Sequence, residues 1–97
     1  MIVEVLTFRP REGVTEAELR AAERRVYEDF AMQQAGMVRR TTAVSADGEW
    51  LVVQLWGDAA SADAGERNAA DHPATAELHA LADPDTLTSR RYQDLGG

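Results

Sequence analysis

The stretch DGEWLVVQLWGD, residues 47–58, constrains the fold of this chain more than any other. Side chains alternate along a strand, so Leu51, Val53 and Leu55 share one face while Trp50, Val52, Gln54 and Trp56 share the other. The aliphatic face reads as ordinary core. The second face is broad and aromatic, and it holds one amide that must find a hydrogen-bond partner. That combination suits a pocket wall or a subunit interface.

The segments around it spell out a βαββαβ order. IVEVLTF (2–8) is β-branched and apolar, and RPREG after it supplies a turn. Val14-Thr15-Glu16-Ala17-Glu18-Leu19 carries a capping box: Thr15 caps the amide of Glu18, Glu18 reaches back, and Val14 staples to Leu19. Leu19, Ala22, Val26 and Phe30 recur at helical spacing, which predicts a helix over 15–35 ended by Gly36. MVRRTTAVS (37–45) and WLVVQLW (50–56) form a hairpin around an Asp-Gly turn. Asp58 or Ser61 caps a second, alanine-rich helix that breaks at Asp71-His72-Pro73 and resumes through Leu78 and Leu81. TLTSRRYQDL (86–95) is the last strand.

Two βαβ halves with right-handed crossovers give an α+β, ferredoxin-like fold: a four-stranded antiparallel sheet with both helices on one face. The other face is bare, and on this reading it carries Trp50, Val52, Gln54 and Trp56. An apolar patch of that size needs a cover, and the same face of a second copy is the simplest one. The expectation is a homodimer through the sheet face, with the tryptophans inside the resulting barrel.

Composition narrows the partners. The chain has 97 residues, the size of one domain spanning 1–97, and a domain this short gains from pairing with a copy. Its 10 basic residues face 17 acidic ones, and the net charge of -7 repels nucleic-acid backbones and anionic membranes. No cysteine is present, so disulfides, thiolate metal sites and cysteine nucleophiles are out. The opening MIVEVLTF runs into a strand without a basic leader, which predicts a cytoplasmic protein with no membrane span.

In IVEVLTFRP with Gly13 before the helix, in FAMQQAGMVRR, and in VVQLWGDAASADA, the chain resembles the dimeric α+β barrel superfamily. Within it, the likeness is to antibiotic biosynthesis monooxygenase-like and stress-responsive barrel proteins. The resemblance implies a ligand cavity between sheet and helices, used by some relatives for cofactor-free oxygenation of polycyclic phenols and by others for haem breakdown. The haem-degrading branch ends its first strand with an asparagine where this chain has Leu6-Thr7-Phe8, which weighs against haem. Trp56 matches the family tryptophan at the end of the third strand. Asn68 and His72 lie where relatives place polar pocket residues.

The expected function is therefore monooxygenase-like, without a cofactor, on a small phenolic polycycle. The alternative is a non-catalytic barrel that binds a small ligand or serves in stress response. In the catalytic reading His72 takes a proton, Asn68 and Gln54 hold the anion, and Trp50 and Trp56 exclude water. His72 has a bland role as a helix cap, and Gln54 as a cross-strand amide. His72 and His79 are seven residues apart with no third ligand, so no metal is expected. Of Arg39 and Arg40, and again of Arg90 and Arg91, one of each pair must point inward or meet an acid such as Glu4. No hydrolase, nucleotide or nicotinamide motif is present.

Overall fold

A computed structural model describes residues 1–96 of the chain. Four antiparallel strands, β1 (Ile2–Phe8), β2 (Met37–Val44), β3 (Trp50–Trp56) and β4 (Thr88–Gln93), form one sheet in the order β2-β3-β1-β4. Three α-helices connect them: α1 (Glu16–Arg25), α2 (Ala59–Ala70) and α3 (Pro73–Leu81). This is the ferredoxin-like α+β arrangement that the order of apolar segments predicts. No helix among the described residues is long and apolar enough to cross a membrane.

Local chemistry sets the helix ends. The Thr15 hydroxyl accepts the Glu18 amide at 3.1 Å, which satisfies one of the free N–H groups at the start of α1. The single helix expected over 15–35 has three parts. After Arg25 it widens into a π-helical turn, Val26–Phe30, and then tightens into a 3-10 turn, Ala31–Gln33. Such π turns are rare and recur at functional sites. Gly36, at φ +82°, reverses the chain, and a side chain there would overlap Ser61. Asp58 caps α2 by accepting the Ser61 amide at 2.7 Å, and that bond holds its carboxyl below the ordinary range.

The second helix breaks where expected. Ahead of Pro73, His72 is extended (φ -93°, ψ 133°), as a residue before proline prefers. Its Nδ1 accepts the Ala74 amide at 3.1 Å and so caps α3, with Pro73 in the first turn. The last strand is shorter than its expected span: Thr86 lies in a 3-10 turn, and its hydroxyl accepts the Arg9 amide at 2.8 Å.

The two faces of β3 are assigned opposite to expectation. Trp50, Val52, Gln54 and Trp56 point under the helices of their own chain, not onto the bare face. They form one side of the core with Ile2, Leu6 and Phe8, their register partners on β1. Trp50 is 5% exposed and Trp56 1%. The uncovered face carries Leu51, Val53 and Leu55, in register with Thr7, Val5 and Val3, and beyond Val3 lies Tyr92. The physical reason is that alternation divides a strand into two faces without saying which one the crossover helices cover. With both faces of β3 apolar, aromatic bulk was a poor discriminator. The indoles need the deeper space, and α2 provides it at Gly65, where a methyl group would overlap the Trp56 ring.

Candidate functional site: the cavity between sheet and helices

Between the helix-covered face of the sheet and the π turn, α2 and α3 lies a cavity of about 520 Å³. Val26 and Phe30, both from the π turn, form its apolar wall with Val52, Trp56, Ala69 and Leu78. Its size is that of a small-molecule site, about 300–1,000 Å³, and its mostly apolar lining with a few converging polar groups fits the same description.

The polar groups come from adjacent strands and form one row across the sheet. Arg40 on β2, Gln54 on β3, Glu4 on β1 and Arg91 on β4 are successive register partners. Arg40 makes a two-pronged ion pair with Glu23 of α1, Nε to Oε2 at 2.9 Å and Nη2 to Oε1 at 2.7 Å. Its Nη1 donates to Gln54 Oε1 at 2.8 Å, and Gln54 Nε2 donates to Glu4 Oε1 at 3.4 Å. The Trp56 indole N–H also donates to Glu4 Oε1, at 2.6 Å. Arg91 closes the row, bonding Glu4 Oε2 at 3.2 Å while reaching Asp63 at 2.6 Å and Glu66 at 3.2 Å on α2. Hydrogen bonding to Asp63 above all, with Glu4 adding to it, raises the Arg91 pKa above its ordinary value.

Burial makes this row consequential. The Arg40 and Glu23 side chains are 6% and 13% exposed, so each charge depends on the other for compensation. Arg39 points the opposite way and donates to the Thr41 hydroxyl. One arginine of each adjacent pair does turn inward, and Glu4 is an acid they meet.

The residues singled out from the sequence divide into two groups. Gln54 and Trp56 line the cavity. Trp50 stacks on Phe8, ring centroids 6.1 Å apart, and lines a separate groove of about 570 Å³ between α1 and β2 that shares Arg40. His72 and Asn68 are not among the cavity-lining residues. The His72 ring packs on Phe30 at 5.1 Å while capping α3, and Asn68 Nδ2 donates to Gln34 Oε1 at 2.8 Å on the surface. His79, an exposed residue in the last turn of α3, is the histidine on the cavity wall.

The structure also adds residues that the sequence reading did not bring to the site: Glu23, Phe30, Gly65 and His79. Gly65 and the site's acid, Glu4, left a trace. Gly65 is the one glycine within an alanine-rich helix, where glycine is costly unless a close approach requires it. Glu4, treated only as an ion-pair partner, is the sole charge within IVEVLTF.

No family model matches the chain, and no curated protein matches it at a significant level. Solved structures do share its fold. SnoaB, a cofactor-independent oxygenase from Streptomyces nogalater, superposes in a mutant form with a TM-score of 0.82 at 19% identity. That match covers 99% of this chain and 94% of the other. Protein SO0527 from Shewanella oneidensis gives 0.71 at 26% identity, over 94% of this chain and 87% of its own. A protein of Nitrosomonas europaea assigned to the antibiotic biosynthesis monooxygenases gives 0.75 at 17% identity, over 98% and 99% of the two chains. SnoaB and the Nitrosomonas protein place antibiotic biosynthesis monooxygenase-like proteins among the fold neighbours, as the resemblance in the sequence leads one to expect.

Proposed function

We propose that this protein is a cofactor-independent monooxygenase acting on a small phenolic polycycle held in the cavity. The observation that carries the reading is the cavity itself: apolar walls from the π turn, α2 and α3 stand over a row of hydrogen-bonding groups on the sheet. The naming of SnoaB as a cofactor-independent oxygenase supports it. A phenol that loses its proton becomes an electron donor strong enough to react with dioxygen directly. One oxygen atom enters the ring. The other leaves as water with the hydrogens of the phenol O–H and the ring C–H, so the substrate supplies every electron.

The chain has three tasks in that reaction. Val26, Phe30, Val52 and Trp56 exclude water and stack on the rings. Gln54 offers an amide donor to the anion. A proton acceptor is required within reach of the phenol, and His79 is the imidazole on the wall. Oxygen consumption with phenolic polycycles tests the proposal: substrate-dependent uptake, with one water per oxygen molecule, is expected from the protein without added metal or flavin. Binding of such compounds with no uptake would favour the second reading, a ligand-binding barrel without turnover. The mutual pairing of Gln54, Glu4 and Arg40 speaks for that alternative, since each of them has a partner with nothing bound.

The same proposal includes a homodimer. The uncovered sheet face exposes Leu51 and Tyr92, 36% and 47%, around partly exposed Val3, Val5, Val53 and Leu55. An apolar face of this kind packs well against its own copy. Light scattering is expected to show a dimer at micromolar concentration, and Val53→Asp to convert it to monomer. A well-folded wild-type monomer at that concentration would refute the pairing.

A further inference from the structure

The geometry points to Arg40 as the residue that holds the ionised oxygen of a phenolic ligand, with Glu23 restraining its strength. This inference rests on the cavity being a site for phenols. An arginine carries five N–H donors, and the recorded bonds of Arg40 use one at Nε, one at Nη1 and one at Nη2. One N–H on each terminal nitrogen is left over on a side chain only 6% exposed that lines the cavity. An oxyanion entering the cavity would supply these N–H groups with an acceptor.

The neighbouring amide completes the pair. Gln54 Oε1 is held by Arg40, which turns Gln54 Nε2 the other way, and one of its two N–H groups goes to Glu4. Its second N–H and the free N–H of Arg40 Nη1 therefore belong to register partners on adjacent strands. Donors offered from two adjacent strands can together receive a phenolate oxygen. Glu4 opposes an anion nearby, but Arg91 and the Trp56 N–H are already bonded to its carboxylate. Glu23 opposes it too, and more directly, because it neutralises the same guanidinium.

That last point separates a ligand-holding arginine from one that merely braces the fold. If Arg40 holds the anion, removing the charge of Glu23 while keeping its shape should strengthen the hold. If the pair is only structural, either change should weaken the site. The probe is 4-nitrophenol, whose ionised form is yellow, titrated with pH in the presence of the dimer or monomer as purified. Wild type is expected to lower the pKa of the bound phenol by about 1 unit, the lower end of what a nearby opposite charge does. Arg40→Gln should abolish the shift and Glu23→Gln should enlarge it, with tryptophan fluorescence confirming that each variant is folded. Should Arg40→Gln fail to fold, the enlarged shift in Glu23→Gln alone supports the assignment. An unchanged or diminished shift in folded Glu23→Gln overturns it. Failure of wild type to bind 4-nitrophenol or larger nitronaphthols overturns the phenol-site reading beneath it, whereas binding without oxygen uptake overturns only the oxygenase chemistry.

Discussion

Replacing Trp56 by alanine is expected to destabilise the protein by about 3–5 kcal/mol, the range for emptying a large buried aromatic site. Although the ring borders a cavity, it is only 1% exposed, and that burial argues for the full loss. Two further features work in the same direction. The ring fills the space that Gly65 leaves beneath α2, so its removal leaves a void against a helix backbone that has no side chain to collapse into it. Its N–H also ends on Glu4 Oε1 at 2.6 Å, and without it the carboxylate keeps only Arg91 and a long bond from Gln54. Trp56→Phe separates these contributions, since it keeps most of the apolar surface and loses the donor, and should cost about 1–3 kcal/mol. Denaturant midpoints at fixed protein concentration are the measurement. A Trp56→Ala loss below that of Trp56→Phe would mean the ring is not a packed element of the core.

The elements of the fold were legible because each is set by short-range chemistry. Thr15 three residues before Glu18, Asp58 before the alanine run, and His72-Pro73 at the break are local signals, and a cap is decided within one helical turn. The facing of the sheet was not legible, because a period of two divides residues between faces and both faces of β3 are apolar. The site was legible only in part for a related reason. Gln54 and Trp56 reach the cavity because their strand delivers them there, and their misassigned face does not alter that they share it. A helix break marks His72 in the sequence, and in the structure its ring caps α3 there through Nδ1. Whether a ring a few residues further on reaches a cavity depends on how α3 lies over the sheet, which nothing within α3 encodes. The π turn at Val26–Phe30 carries no mark in the sequence: Val26 and Phe30 keep the i, i+4 spacing of an uninterrupted helix, and no glycine or proline stands between them.

The two histidines give the second large effect. In an oxygenase that uses a protein base, His79→Ala is expected to lower the rate about 10²-fold, the usual contribution of a positioned general base. His79 lines the cavity, and the recorded side-chain hydrogen bonds do not engage its ring, so it can meet a phenol hydroxyl. The ring of His72 is placed differently: Nδ1 accepts the Ala74 amide, and the imidazole lies on Phe30 with centroids 5.1 Å apart. His72→Ala should therefore lower stability by about 0.5–2 kcal/mol, as loss of an N-cap does, and leave the rate per folded molecule unchanged. Oxygen uptake by both variants, normalised to the folded fraction from a denaturation curve, separates the roles. A rate loss in His72→Ala with His79→Ala unaffected would restore the base to the helix break and require the cavity to extend there. Equal rates in wild type and both variants would mean that the phenol ionises in solution and is captured as the anion. Proton abstraction would then drop out of the mechanism, and the donors on β2 and β3 would carry the recognition alone.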